Sequence, residues 1–181
     1  MVKEKGFKLS KLQNLKLRLT AVSEQSVNFL ISLCPNLRRL DLSFTAVRRL
    51  SFGPEIPPLE KLSLTSTQMA SSDLFAVISL HPHLKILSVG ALGGGQGSTP
   101  AVGNPSSMTL SDEMLSTLTD ILEKFQQLEN VSLVGNSKLG IFKRRESPLS
   151  DFIRRVGRRC KVDGKDFTRH SIEINDLFGR N

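Results

Sequence analysis

The chain has 181 residues, a formal net charge of +8 and 39% hydrophobic residues, with no Trp and no Tyr. That length fits one domain, and the missing Trp and Tyr argue against an aromatic recognition patch or a stacking platform for single-stranded nucleic acid. Cys34 and Cys160 alone build neither a disulfide framework nor a zinc site, so a reducing compartment, cytoplasmic or nuclear, is expected.

Residues 1–8 read as a basic N-terminal arm. The opening MVKEKGFKLSKLQN lacks the apolar core of a secretory signal, and no apolar run approaches the ~20 residues that span a bilayer. Charge is unevenly spread: +5 over residues 1–18, −3 over 19–137 and +6 over 138–181. Two readings of the basic ends follow. They are either solvated tails or contacts for an acidic partner, a nucleic acid or an anionic surface.

From residue 9 to 140 the sequence repeats itself. The pattern Leu-x-x-Leu-x-Leu-x-x-(Asn/Thr)-x-(apolar) occurs as Leu12, Leu15, Leu17, Thr20, Val22 and again as Leu37, Leu40, Leu42, Thr45, Val47. A third copy is Leu59, Leu62, Leu64, Thr67, Met69. The fourth, Leu84, Leu87, Val89, Leu92, lacks the Asn or Thr, and the fifth is Leu128, Val131, Leu133, Asn136, with Lys138 in the last apolar slot. The first four are 25, 22 and 25 residues apart, inside the ~20–29 residue period of leucine-rich repeats. ISLCPNLRRLDLS (31–43) also aligns without a gap with ISLHPHLKILSVG (78–90).

This spacing has a physical reading. Leucines at alternate positions put two side chains on one face of a short strand, and parallel stacking pairs each strand with the next. Thr or Asn at the turn satisfies a buried backbone group, Asn more fully than Thr. The expected fold is α/β: a leucine-rich repeat solenoid, or horseshoe, with parallel concave strands and convex helices. Positions between and after the strand leucines then face outward. These are the candidate partner-binding residues: Lys16, Arg18, Asp41, Ser43, Ser63, Thr65, Ser88 and Ser132. The first repeat begins near Leu9 with no capping element before it. Either further residues precede it in the gene product or a partner covers that end.

Helices are expected between the strands. One begins at Ser23 with Val27, Leu30 and Ile31 inward. Another begins at Ser72 and Asp73 with Leu74, Val77 and Ile78 inward. The longest begins at Ser111, with Asp112 and Glu113 in its first turn and a stripe of Leu110, Met114, Leu118, Ile121, Leu122 and Phe125. RRLSFGPEIPP, with Pro54, Pro57 and Pro58, excludes a regular helix between the second and third copies.

A Gly/Ser/Pro-rich loop insertion at 90–108 stretches the fourth-to-fifth spacing to 44 residues. Its GGGQGST lacks the Lys of a phosphate-binding loop. Residues 141–162 read as a C-terminal capping helix, running from Ser147 as N-cap and Pro148 as first helical residue to near Arg159. Leu149, Phe152, Ile153, Val156 and Cys160 share one face. Arg154, Arg155, Arg158 and Arg159 share the other, either as a solvated arc or as a candidate anion-binding site. The run Lys143-Arg144-Arg145-Glu146-Ser147-Pro148 matches basic-directed and proline-directed kinase sites, and phosphate on Ser147 would sit at a helix N-terminus. Residues 163–181 form a tail in which Ile172 and Ile174 alternate as a short strand would.

LISLCPNLRRLDLSFTAV (residues 30–47) resembles the ribonuclease-inhibitor-like, cysteine-containing repeats of F-box/LRR proteins. The resemblance covers about residues 9–140. It implies a binding scaffold, with substrate selection for a ubiquitin ligase as the best-known use. The chain departs from that family in showing no F-box-like segment and in carrying His81 where the second repeat has Cys34. The expected function is therefore protein–protein interaction, without catalysis, cofactor, metal, membrane contact or small-molecule substrate. The alternatives are a nucleic-acid-associated protein using its basic ends, or a regulator of a small GTPase.

Overall fold

The computed structural model describes residues 7–90, 110–136, 139 and 147–163. Within these, six strands and four helices make an α/β arrangement. In chain order they are β1 (Asn14–Lys16), α1 (Glu24–Ser32), β2 (Arg39–Asp41), β3 (Lys61–Ser63), α2 (Ser71–Ser79), β4 (Ile86–Ser88), α3 (Asp112–Leu122), β5 (Asn130–Ser132), α4 (Pro148–Arg155) and β6 (Lys161–Asp163). The strands form one parallel sheet in the order β1-β2-β3-β4-β5-β6.

The repeated leucines set the register. Leu15, Leu40, Leu62, Leu87, Val131 and Val162 are successive partners across the sheet. From Leu40 to Val131 they are buried, as are Leu42, Leu64, Val89 and Leu133 two residues on. The backbone repeats the same step five times. The N–H of Leu17, Leu42, Leu64, Val89 and Leu133 donates to the carbonyl of Asp41, Ser63, Ser88, Ser132 and Asp163 at 2.8–3.0 Å. Each new strand therefore satisfies the open edge of the one before it.

The turns after the strands also recur. Leu19, Phe44, Ser66 and Gly135, each four residues past the central apolar residue, have φ of 60°, 61°, 56° and 86°. The hydroxyls of Thr20, Thr45 and Thr67 donate back to Leu17, Leu42 and Leu64 carbonyls at 2.6, 2.7 and 3.1 Å. Asn136 does the same to Leu133 at 2.9 Å, and it adds two bonds, from Nδ2 to the Val89 carbonyl and to Oδ1 from the Leu110 N–H. The left-handed region costs an ordinary residue about 1–2 kcal/mol. Leu19 is 59% exposed, so its side chain contributes little packing in return. Leu19→Gly will raise the free energy of unfolding in urea by about 0.5–1 kcal/mol, the strain relief less the added freedom of the unfolded chain.

α1, α3 and α4 start where short polar side chains cap them. Ser23, Ser111 and Ser147 accept from the N–H of Ser26, Met114 and Ser150 at 3.1, 3.3 and 3.1 Å. α2 starts at Ser71 after Ala70, with no side-chain cap. Val27, Ile31, Leu74, Val77 and Ile78 turn inward and join the strand leucines in one core. In α3 the buried stripe is wider than its spacing predicts: Leu115 and Thr119 lie inside with Leu118 and Leu122, while Met114 and Ile121 are half-buried. Thr119 hides its hydroxyl by donating to the Leu115 carbonyl at 2.7 Å, which lets a polar residue enter the core.

No helix forms across 48–58, as the prolines require. The segment is tied to α1 instead. Glu24 accepts from the N–H groups of Arg48 and Arg49, and Asn28 accepts from that of Ser51.

The C-terminal reading needs correction. α4 ends at Arg155, short of Arg159, and Lys161–Asp163 adds a sixth strand to β5. Ser147 and Pro148 do begin the helix. Lys-Val-Asp has one apolar residue and no sequence periodicity to betray a strand. What makes it one is the waiting edge of β5, where Lys161 N–H meets the Glu129 carbonyl at 2.8 Å. The residues named in the expected loop at 91–108, the kinase motif at 143–146 and the tail strand at 172–174 lie outside the described residues.

Candidate interaction surface

Residues on either side of a strand's central leucine point away from the core together, because side chains alternate along a strand. Two rows therefore line the face opposite the helices. One is Lys16, Asp41, Ser63, Ser88, Ser132 and Asp163; the other is Asn14, Arg39, Lys61, Ile86, Asn130 and Lys161. The sequence points to Lys16, Asp41, Ser63, Ser88 and Ser132 of the first row and to Arg18, Ser43 and Thr65 after them, and misses Asp163 and the second row. The signal was present in the period-two alternation on the N-terminal side of each leucine.

The eight expected partner-binding residues divide by exposure. Lys16 and Arg18 are exposed, and Asp41, Ser88 and Ser132 are half-buried. Ser43, Ser63 and Thr65 are buried, at 5%, 6% and 8% exposure, and this corrects the expectation that they are open to a partner. Ser63 lies in β3 between Asp41 and Ser88, and strands about 4.8 Å away on both sides leave a short side chain little open surface; Ser43 and Thr65 follow β2 and β3 in the same register.

Electrostatics differ across the face. Just before the strands, Glu60 bridges Arg38 and Lys85, the latter at 3.5 Å. The Arg38 hydrogen bond, with the Lys85 charge, holds the Glu60 carboxyl below its usual range. At the far end Asp163 accepts from Asn130 at 3.0 Å and pairs with Lys161 at 3.1 Å, and these contacts lower its carboxyl too. At the near end Lys16, Arg18, Arg39 and Lys61 form no ion pair with any described residue. Arg18 lies over the Phe44 ring, 5.1 Å from its centroid.

No family model matches the chain, and no curated protein matches it.

The four arginines of the candidate anion site do not form one free arc. Arg155 is bound by Asp120, Glu123 and Asp151 at 2.7, 2.6 and 3.0 Å, and Glu123 foremost among them holds its positive charge more firmly. Arg154 also pairs with Asp151. Desolvation pushes the Asp151 carboxyl up, but Arg155 and Arg154 outweigh it and the net shift is downward. Arg159 donates to the Glu123 carbonyl, and Arg158 is exposed. The cluster thus clamps α4 to α3.

Of the histidines, His81 is buried and His83 is exposed, so Pro82 separates two unlike environments. Cys34 and Cys160 are free thiols, and burial pushes both upward. No helix among the described residues is long and apolar enough to cross a membrane.

Proposed function

We propose that this chain is a leucine-rich repeat solenoid of the ribonuclease-inhibitor-like type, and that it holds a protein partner on its strand face rather than catalysing a reaction. The fold part is supported by one parallel strand per repeat in sequence order, the same turn after four strands, and Cys34 and His81 in equivalent buried sites. The functional part rests chiefly on one observation. The row Arg39, Lys61, Ile86, Asn130 faces away from the core, beside a second row of small polar residues, and makes a broad surface of adjacent strands.

Affinity capture from source cells with the full-length gene product tests this, run beside a Ser88→Arg, Ser132→Arg variant shown to be folded by circular dichroism. Those residues are half-buried on the face, so bulk there blocks a partner while the core remains intact. Protein partners lost only by the variant support the reading. An unchanged partner set overturns it, and partners removed by nuclease move the function to nucleic acid. Selection of substrates for a ubiquitin ligase is one form of this function. It requires capture of the adaptor that F-box segments bind, and failure to capture that adaptor removes it.

A further inference from the structure

The partner's chemistry can be narrowed, on the condition that the strand face binds protein. Four cations stand together on the first three strands: Lys16 in β1 and Arg18 just after it, Arg39 in β2 and Lys61 in β3. Lys16, Arg18 and Arg39 are exposed and Lys61 is half-buried. Arg38, Arg49, Lys85, Arg154, Arg155 and Lys161 each have a carboxylate partner, while Lys11, Arg48, Lys124, Arg158 and Arg159, like these four, have none among the described residues; these four differ in standing together on adjacent strands. The one acid among them is Asp41, register partner of both Lys16 and Ser63. Its Oδ1 is turned to the Ser43 N–H at 3.0 Å.

Spacing adds to charge. Arg39 and Lys61 are register partners, about 4.8 Å apart across the sheet. Lys16 lies one strand across and two residues along from Arg39, about 8 Å away, and Arg18 lies about 7 Å further along the chain. An extended peptide places alternate side chains on one side about 7 Å apart. The other half of the face does not continue the charge, because Ile86, Ser88, Asn130 and Ser132 are uncharged and Lys161 is paired with Asp163. We infer that an extended acidic peptide segment of a protein partner docks across β1–β3, its alternate carboxylates received by Lys16, Arg18, Arg39 and Lys61. The Phe44 ring preorganises Arg18 for this. Asp41 favours peptide over nucleic acid. An unbroken run of phosphates crossing the row would meet its carboxylate, whereas a peptide can present an N–H or a hydroxyl there.

Fluorescence anisotropy of the full chain with a capped, labelled peptide of alternating Glu and Ser tests the inference. Its controls are a Lys-Ser peptide and a single-stranded oligonucleotide of equal charge. The Glu-Ser peptide is expected to bind, to weaken steeply with added salt, and to lose about tenfold in affinity with Arg39→Glu or Lys61→Glu. Lys124→Glu, at an exposed cation just past the end of α3 and outside the strands, is expected to leave affinity unchanged. No preference over the Lys-Ser peptide, an equal loss in Lys124→Glu, or tighter binding of the oligonucleotide would each overturn it. Partner capture by the same variants separates the two claims. If the acidic peptide fails while Ser88→Arg, Ser132→Arg still abolishes capture, only the acidic specificity falls. If neither set alters capture, the strand-face reading falls with it.

Discussion

Lowering the pH from about 7.5 to about 4 is expected to remove about 3 kcal/mol of stability through His81 alone. The side chain is 3% exposed, packed edge-on against Phe52 with ring centroids 4.7 Å apart. Burial pushes it down from 6.5 to about 4, although a hydrogen bond to the Pro57 backbone opposes the shift. Its Nε2 is buried with no hydrogen-bond partner, so the proton that would sit there has no acceptor. The unfolded chain protonates near 6.5 and the folded chain only near 4, so the unfolded state binds more protons between those values. Stability from the neutral ring is therefore complete above about pH 7 and falls as pH drops through 6.5 toward 4. A shift of that size, at about 1.4 kcal/mol per unit, gives the stated figure. Urea unfolding at both pH values measures it, with His81→Cys as reference because Cys34 occupies the equivalent site in the second repeat. The variant loses some packing at both pH values, so the comparison is of slopes. If wild type and His81→Cys lose equal stability on acidification, the histidine is not the cause.

Asn136→Ala is expected to cost about 3–4 kcal/mol, far more than the same change at the threonines that fill the equivalent turn position. Asn136 is 1% exposed. Its amide joins three stretches of chain: Nδ2 donates to Val89 at 3.1 Å and to Leu133 at 2.9 Å, and Oδ1 accepts from Leu110 at 2.9 Å. Alanine strands the Leu110 N–H and the Val89 carbonyl in the interior, at about 1–3 kcal/mol each. The Leu133 carbonyl keeps a second donor in the Asn136 N–H at 3.3 Å. Asn136→Thr keeps the local bond and loses the two long-range ones, so about 2 kcal/mol is expected. Thr67→Ala loses only the bond to Leu64, whose carbonyl still receives the Thr67 N–H, so about 1 kcal/mol is expected. Chemical denaturation should give that order. Equal costs at Asn136 and Thr67 would mean that the bridge to Val89 and Leu110 contributes nothing. The effect reaches the candidate surface, because the bridge fixes β4 against β5 behind Ser88 and Ser132.

The period of the leucines determined much of this protein by itself. Leu40, Leu62 and Leu87 announce strands because an apolar residue every second position has one face to bury, and the spacing between copies leaves room for a helix. Ser23, Ser111 and Ser147 announce helix starts because a short hydroxyl caps the N–H three residues on. Pro54, Pro57 and Pro58 deny a helix by their missing donors. All of these are local properties, complete within a few residues. What the tertiary structure decided depends on which residues become neighbours across strands and helices. Lys161–Asp163 is a strand only because β5 offers an edge, and Arg155 gains Asp120 and Glu123, beyond Asp151 of its own helix, only because α4 lies beside the end of α3. Ser43, Ser63 and Thr65 are buried by flanking strands that the chain supplies some twenty residues away. Arg39 and Lys61 become one patch with Lys16 for the same reason. Side-chain alternation sets the direction of each, but only the register of β1, β2 and β3 sets them side by side.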